Sequence, residues 1–538
     1  MAPVNWVPVN WVPVKRSPVR WVALLALVAV VTACTDTARR EPDPQPPALA
    51  PAMPLPDNAV ADAIARLDGI ASDLMSSAGI PGLAVAVVHG GKTVYARGFG
   101  VRDTRSGEPV GAATVFQLAS LSKPIAASVV AQQVGTGAIT WDTPVVEKLP
   151  WFALSDPAVT RMVTVGDFFA HRSGLPDHAG DVLEDLGYDR RAVLERMRLL
   201  PLAPFRTSYA YTNFGVTAAA EAVAAAAGRD WADLSEQLLY RPLGMSTASS
   251  RFADFQARPD RAVGHVKVDG TYQPRYTRDP DAQSPAGGVS ASVQDMASWL
   301  SMILADGSHN GAAVVDPKAL LPALTPQMVS SPPDEPAERS GFYGYGFNIS
   351  TSPAGRVRFG HSGAFELGAA TTMLIIPAAD VAIVALTNAA PVGVPETLTA
   401  EFADLVEFGE VRQDWRTLYA DLFAGMDTPF GELAGKTPPD NPAPAGPPSR
   451  YIGTYANDYW GPAVVAEKDG ALTLALGPRG DTYPLTHWDA DTFTMSFVSE
   501  NFPPRGVSTV SFRGGDMTVE FLDDDRMGTF VRQESRPR

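Results

Sequence analysis

The pattern of apolar and polar positions indicates a first domain built from a sheet and helices. An amphipathic helical pattern over 61–78 precedes two strand-like runs, Gly82–His89 and 93–100, which a Gly-Gly-Lys turn joins as a hairpin. Helical patterns recur around residues 120, 168, 194 and 220, and strand-like runs return over 342–388. We therefore predict an α/β (α+β) sandwich in which a helical region packs on an antiparallel sheet.

The pattern changes past residue 388. A helical stretch near 395–424 leads into a proline-rich linker over 436–448, and from 451 to 533 the chain alternates in short strand-like segments separated by turns. This alternation predicts a small C-terminal all-β domain, barrel-like or a curved meander. The predicted boundaries are 58–405 for the first domain, 406–448 for the helical segment with its linker, and 449–538 for the β domain.

The N-terminal residues carry a targeting pattern. Lys15, Arg16 and Arg20 flank an apolar run, 21–33, that ends at Cys34, the only cysteine in the sequence. Such a run is too short to span a bilayer, so it indicates a signal peptide. The small residue before a lone cysteine resembles the bacterial lipobox, so we expect 1–33 to be a lipoprotein signal peptide and Cys34 to be lipidated. An ordinary signal peptide that contains a cysteine is the alternative.

Residues 34–57 are rich in proline and alanine, which predicts a semi-extended tether between a lipid anchor and the first domain. Thr35, not aspartate, follows Cys34, so the signal for inner-membrane retention is not in its usual place. We therefore expect a periplasmic protein attached to the bacterial membrane by its lipid, with the outer membrane favoured.

Composition narrows the range of partners. The 538 residues are 45% hydrophobic and 19% charged, as in ordinary globular domains. A formal charge of −16 argues against nucleic acid, whose phosphates would be repelled. The seven histidines are scattered without metal-ligand spacing, and no glycine-rich phosphate loop is present, so we expect no metal and no cofactor. The sequence does not indicate an oligomeric state.

The strongest chemical signal is the S-x-x-K pair formed by Ser120 and Lys123. A serine hydroxyl is a poor nucleophile until a base removes its proton, and residues three apart on a helix share a face. The pattern after residue 124 is helical, and backbone N–H groups at a helix start can stabilise a developing oxyanion. Taken alone, the pair also fits a capping serine beside a solvated lysine, so its context decides.

Two further motifs supply that context. Tyr211 and Asn213 form a Y-x-N element before an alanine-rich helical stretch, and His361 and Gly363 form an H-x-G element before two strand-like runs. With S-x-x-K first, this order resembles the serine β-lactamase-like family, which includes class C β-lactamases, D-Ala-D-Ala carboxypeptidases, D-amino-acid peptidases and related esterases. The resemblance covers roughly 60–400 and implies a β-lactamase/penicillin-binding-protein-like sandwich; the β domain resembles an accessory module of unknown function common in this family.

The resemblance implies an acyl-enzyme mechanism acting on a small-molecule or peptide substrate. Ser120 would attack a carbonyl carbon, and Lys123 and Tyr211 would share the proton transfers. A lysine ammonium near the phenol would lower the pKa of Tyr211 toward neutrality, while burial would lower the pKa of the lysine itself. Tyr211 would then act as the general base.

The resemblance also assigns the residues around the substrate. Asn213 would orient the substrate amide and Lys123, and the backbone N–H groups of Ser120 and Ala364 would form the oxyanion hole. Gly363 would let the substrate backbone lie against the strand, because it has no Cβ.

His361 departs from the β-lactamase pattern, in which a lysine of K-T-G faces the substrate carboxylate. A histidine with an ordinary pKa is mostly neutral at pH 7 and gives up most of the Coulomb attraction. We therefore expect poor handling of penicillins and a preference for peptide, amide or ester substrates. The loops 177–189 and 332–341 are expected to shape the pocket.

Three alternatives stay open at this stage. Ser362 lies in a near match to the G-x-S-x-G elbow of α/β-hydrolases, although that elbow requires a following helix. A slow-turnover penicillin-binding sensor would share the motifs and differ in its deacylation rate, and a non-catalytic scaffold would share the fold.

His171 and His178, near a Gly-Leu-Pro turn, are interpreted as loop histidines bonded to the backbone.

Overall fold

The structure, a computed structural model, describes residue 46, residues 48–426 and residues 428–534. Cys34 and the predicted signal peptide lie outside the described residues, so the lipid anchor remains a prediction. Within the described residues, none of the helices combines the length and apolar character needed to cross a membrane.

The helices are numbered in chain order. They are α1 (Ala59–Ala78), α2 (Ser122–Gly135), α3 (Val145–Lys148), α4 (Pro157–Met162), α5 (Val165–Phe169), α6 (Asp181–Asp185), α7 (Arg190–Arg196), α8 (Asn213–Ala227), α9 (Trp231–Ser235), α10 (Phe252–Ala257), α11 (Ser284–Gly287), α12 (Val293–Leu304), α13 (Pro317–Leu320), α14 (Val394–Phe408) and α15 (Trp415–Met426). Short two-stranded ribbons pair Phe116–Gln117 with Ser290–Ala291, Val266–Val268 with Thr271–Gln273, and Ser308–His309 with Ala312–Ala313.

The first domain is organised around an antiparallel sheet. Its strands are β1 (Gly82–His89), β2 (Lys92–Gly100), β3 (Met328–Ser331), β4 (Gly341–Tyr343), β5 (Asn348–Thr351), β6 (Val357–Phe365), β7 (Ala369–Ile376) and β8 (Val381–Thr387). They lie in the order β2-β1-β8-β7-β6-β5-β4-β3. The N-terminal hairpin therefore joins the C-terminal strands in one sheet, with the helical region inserted between them in sequence.

Both faces of this sheet are covered, because its central strands are apolar on both sides. Leu83, Val85 and Val87 of β1 belong to the core formed with α1 and α14. Ala84, Ala86 and Val88 of the same strand belong to the larger core that extends into the helical region. The predicted α/β (α+β) sandwich is confirmed.

Helix α2 runs through the centre of the helical region. Most of its residues are buried, including Lys123 and Ser128. A helix that is buried all round belongs to a core rather than to a surface. A 3₁₀ turn, Ala119–Leu121, leads into it from the ribbon strand Phe116–Gln117, and Ala119 packs against Phe365 and Ala369 of the sheet.

The C-terminal domain is a single antiparallel sheet. Its strands are β9 (Gly453–Ala456), β10 (Ala463–Lys468), β11 (Ala471–Leu476), β12 (Asp481–Pro484), β13 (Thr486–Asp489), β14 (Thr492–Met495), β15 (Ser508–Arg513), β16 (Asp516–Val519) and β17 (Thr529–Arg532), in the order β12-β11-β10-β9-β17-β16-β15-β14-β13. The two edge strands, β12 and β13, are separated by Leu485 alone, so the sheet must curl until its edges approach. The predicted barrel-like shape is confirmed.

The helical segment belongs to the first domain. Helix α14 continues to Phe408, so the predicted boundary at 405 falls inside it, and its apolar face packs with α1 on the sheet. Helix α15 then packs on α14 through Ala400, Tyr419 and Phe423.

Candidate active site

The nucleophile candidate lies at the start of α2. Ser120 occupies the 3₁₀ turn, and the preceding residue, Ala119, has a left-handed backbone with φ of 47°. Such a conformation is unfavourable for alanine and is typical of functional sites. Lys123 Nζ lies 3.0 Å from Ser120 Oγ, so the pair forms through local helical geometry alone.

Two further contacts orient the Lys123 amine. Its Nζ lies 2.6 Å from Asn213 Oδ1, at the start of α8, and 3.1 Å from the Ala286 carbonyl oxygen in α11. Both of these oxygens can only accept, so they take two N–H groups of the lysine. A neutral amine then has one lone pair left, and it faces the Ser120 hydroxyl.

Burial also makes that neutral form accessible. Lys123 is fully buried, and burial lowers its pKa to about 7, although the negative charge of Asp181 opposes the shift. A substantial share of the lysine is therefore neutral near physiological pH. The structure agrees with the expectation that burial lowers the pKa of Lys123.

The expectation for Tyr211 differs from the structure. The Lys123 ammonium nitrogen lies 4.5 Å from the centre of the Tyr211 ring, yet the pKa of the phenol is raised. Burial is the main cause and the charges of Asp181 and Asp177 add to it, while the hydrogen bond with Ser120 acts in the opposite direction. Tyr211 thus stays protonated, and Lys123 is the better candidate for the base.

Gly363 lies where strand β6 meets the nucleophile. A Cβ at this position would lie 2.4 Å from the Leu118 carbonyl oxygen and 2.7 Å from the Ser120 backbone nitrogen. The sequence suggested that a glycine is needed here so that the substrate backbone can lie against the strand. The close approach of the nucleophile segment also requires it. Ala364 follows directly, so its amide lies one residue from this contact.

Both ring nitrogens of His361 have protein partners. Nδ1 lies 2.6 Å from the Ser362 carbonyl oxygen, which can only accept, so Nδ1 carries the hydrogen. Nε2 then accepts from the Tyr343 hydroxyl at 2.8 Å. Burial, together with the charge of Lys123, lowers the pKa of His361 to about 3, so the ring is neutral. In this arrangement no N–H of the ring is left for a substrate carboxylate.

The sequence interpretation missed Asp181. His178 lies in a turn, as interpreted, but its ring bonds the Asp181 carboxylate and not the backbone. Asp181 Oδ2 accepts from Asn213 Nδ2 at 2.7 Å and from His178 Nδ1 at 2.8 Å. The first bond fixes the Asn213 amide with its oxygen toward Lys123. Burial opposes protonation of His178, but the hydrogen bond and charge of Asp181 raise its pKa.

The His171 ring packs against the rings of both Tyr211 and Tyr343. The His171 ring centre lies 4.5 Å from that of Tyr211 and 4.8 Å from that of Tyr343. His171 Nδ1 accepts from the Thr212 backbone N–H at 3.1 Å, which agrees with the predicted backbone bond. The four residues missed as site neighbours, Asp181, His178, His171 and Tyr343, have no spacing relation to the three motifs; only the fold brings them there.

The alternative nucleophile, Ser362, lies within strand β6, and its hydroxyl bonds the side chains of Thr372 and Glu396. Its hydroxyl bonds Thr372 Oγ1 at 2.9 Å, and Thr372 in turn donates to Glu396 on α14. Ser362 is buried, and β-strand continues on both sides of it instead of a strand-to-helix elbow. The structure therefore contradicts the elbow interpretation.

Across 48–426 and 428–534, no group of side chains suited to hold a metal ion occurs.

We expect Gly363→Ala to lower kcat/KM by about 10²-fold or more, because the new methyl group would displace β6 from Ser120. Gly360→Ala on the same strand is the matched control, since its Cβ would meet nothing closer than the Met373 carbonyl oxygen at 3.1 Å. Steady-state kinetics with an activated ester would compare them. Equal activity of the two variants would contradict the close approach.

The fold and this site define a protein with a β-lactamase/penicillin-binding-protein-like catalytic domain. The beta-lactamase family model matches residues 67–407, and the chain belongs to this family. A domain of unknown function, DUF3471, matches residues 437–534. The resemblance inferred from the motifs is confirmed for both parts of the chain.

Several curated proteins are similar to this chain. It is 28% identical to the unguisins hydrolase of Aspergillus violaceofuscus over 474 residues, which cover 80% of this chain and 81% of that protein. It is 28% identical to penicillin-binding protein 4 of Amycolatopsis lactamdurans over 392 residues, covering 70% and 94%. It is 27% identical to esterase EstB of Burkholderia gladioli over 378 residues, covering 64% and 94%.

Among solved structures, the octameric penicillin-binding protein homologue from Pyrococcus abyssi is similar in fold. The TM-score is 0.56 at 18% identity, with 87% of this chain and 100% of that chain covered. At this identity the similarity establishes the fold alone.

Proposed function

We propose that this protein is a serine acyl-hydrolase that works through a covalent Ser120 acyl-enzyme. The observation that carries the proposal is the Lys123 amine, 3.0 Å from the Ser120 hydroxyl, with both of its N–H partners assigned. Its pKa of about 7 makes a neutral base available at physiological pH.

The proposed reaction has two halves. Neutral Lys123 takes the Ser120 proton as Oγ bonds to the substrate carbonyl carbon, and the backbone N–H groups of Ser120 and Ala364 stabilise the oxyanion. The leaving amine or alcohol then takes a proton from Lys123, directly or through the Tyr211 hydroxyl. Water repeats the sequence on the ester carbonyl and releases the acid, which restores Ser120.

The proposed substrates carry an amide, peptide or ester bond and need no free carboxylate. His361 supports this choice, because it is neutral and both of its nitrogens are engaged with Ser362 and Tyr343. The names of relatives agree with a range of acyl substrates, since they include an unguisins hydrolase and an esterase.

A matched pair of substrates tests the substrate class. An N-acyl-D-Ala-D-Ala peptide and its C-terminal methyl amide differ only in the carboxylate, and we expect the methyl amide to give the higher kcat/KM. We expect the two kcat/KM values to differ by only about 10-fold. His361 has no free N–H to donate to the substrate carboxylate, but it also carries no negative charge that would repel it. Faster turnover of the free acid, or efficient hydrolysis of a chromogenic cephalosporin, would contradict the proposed class.

The slow-turnover penicillin-binding sensor remains the second candidate, supported by the similarity to a penicillin-binding protein. The two differ in the second half of the reaction alone. A Ser120 adduct that forms with a fluorescent penicillin and persists for hours would favour the sensor, and rapid loss of the adduct would favour the hydrolase.

A further inference from the structure

The loop between β14 and β15 of the β domain contacts the first domain. Glu500 in this loop accepts from the Glu366 backbone N–H at 2.8 Å and from the Leu367 N–H at 3.3 Å. Its side chain is 11% exposed. A carboxylate that receives two backbone donors fixes both the position and the orientation of the turn that carries them.

That turn ends strand β6, which carries the proposed oxyanion donor. Glu366 is two residues beyond Ala364, and the turn is closed by the Gly368 N–H donating to the Phe365 carbonyl oxygen at 2.9 Å. Phe365 packs with Ala119, the residue before Ser120. A shift of the turn would therefore move the donor and the nucleophile segment relative to each other.

Arg278 makes a second link to the same strand end. Its guanidinium is buried, pairs with Glu184 of α6, and has its Nε 3.8 Å from Glu500. It also lies over the Phe365 ring, 5.1 Å from the ring centre. The Arg278 carbonyl oxygen accepts from the Gln117 side chain, just before the nucleophile turn.

The same loop holds the opposite side of the site. Asn501 donates through its backbone N–H and its side-chain amide to Asp185 Oδ2, at 3.0 and 2.8 Å. Asp185 ends α6, and Asp181 begins it. Asp181 is the residue that orients Asn213 against Lys123. Neighbouring residues of one loop thus bond both the strand end and the helix that supports the base.

We propose that Glu500 and Asn501 form a latch from the β domain that positions β6 and α6 around Ser120, with Glu500 the positioning residue for the oxyanion strand. This role rests on the proposed acyl-enzyme function and adds a task for the domain of unknown function. Three carboxyl groups, Glu184, Asp185 and Glu500, surround one guanidinium, and burial raises the pKa of each. A buried cluster with excess acid is costly in free energy, so its retention here points to a role other than stability.

The test compares Glu500→Ala and Glu500→Gln with Tyr188→Phe in the intact two-domain protein. Tyr188→Phe is the matched control. Tyr188 belongs to the 177–189 loop, but its side chain is buried in the interface with the β domain, where its hydroxyl donates to the Trp460 carbonyl oxygen at 2.9 Å, so the variant removes a buried bond of this interface without touching the 366–367 turn. Active sites are titrated with a fluorophosphonate, so that rates refer to folded enzyme. Acylation by an activated ester is then followed in single turnovers.

We expect Glu500→Ala to slow acylation per titrated site by about 10- to 100-fold while the substrate dissociation constant changes little. Glu500→Gln should fall between, since its amide oxygen still accepts one of the two bonds. Tyr188→Phe should stay near the wild-type rate. Equal acylation rates of Glu500→Ala and Tyr188→Phe would overturn the latch, whatever their thermal stabilities.

Amide hydrogen exchange at 366–367 gives a readout that needs no activity. We expect faster exchange there in Glu500→Ala and not in Tyr188→Phe, and unchanged exchange would overturn the latch. Absence of a Ser120 adduct in the wild type would instead overturn the proposed function. The amide hydrogen exchange at 366–367 would still decide whether the latch exists. If Glu500→Ala does not fold, Glu500→Gln is the deciding variant. Wild-type rates of acylation and of amide hydrogen exchange at 366–367 in Glu500→Gln would overturn the latch.

Discussion

Replacing Ser120 by alanine is expected to reduce kcat by about 10⁴-fold or more, since the covalent path disappears with its nucleophile. The residual rate would come from substrate binding and from the backbone donors, which alanine keeps. The measurement is hydrolysis of an activated ester, together with intact-protein mass spectrometry after treatment with a fluorophosphonate. Wild type should gain one adduct, on Ser120, and Ser120→Ala should gain none.

Ser362→Ala is the matched control for this variant. It removes the serine that the sequence offered as an alternative nucleophile, whose hydroxyl bonds Thr372 and Glu396 and not Lys123. Activity and labelling should therefore persist. Loss of the adduct in Ser362→Ala with retention in Ser120→Ala would reverse the assignment, and wild-type turnover by Ser120→Ala would exclude the acyl-enzyme.

Local patterns were enough to predict much of the fold. The hairpin of β1 and β2, the pair β7 and β8 and the alternating β domain follow from period-two patterns and turn residues, which act over a few positions. The proximity of Lys123 to Ser120 is also local, since one helical turn sets it. The sandwich that unites the two groups of strands was implied by the family resemblance, and the order of the strands was not predicted, because no local signal joins residues 82–100 to residues 328–387.

The finer features of the site depend on burial and on contacts between distant segments. Asp181 reaches Asn213 across 32 positions, and Glu500 reaches the 366–367 turn across more than 130. The pKa of Tyr211 is raised, contrary to expectation, mainly because the phenol is buried, and burial is a property of the packed structure. The atoms that exclude a Cβ at Gly363 belong to residues 118, 120 and 371, which no sequence pattern brings together.

Lys123→Arg is expected to lower kcat/KM by about 10³-fold, although it keeps the positive charge, because an arginine guanidinium does not deprotonate and cannot accept the Ser120 proton. Lys318→Arg on the exposed surface is the matched control and should retain wild-type kinetics. Near-wild-type activity of Lys123→Arg would show that the lysine acts through its charge and that another group is the base.

The pH dependence of the wild type tests the same assignment from the other direction. Burial lowers the pKa of Lys123 to about 7, and the base must be neutral, so kcat/KM should rise with pH and level off above about 7. Below that value it should fall about tenfold per pH unit, since only the unprotonated fraction reacts. His361, with a pKa near 3, stays neutral throughout this range and should add no second step. A profile that is flat from pH 5 to 9, or one that rises only near pH 10, would contradict a buried lysine base.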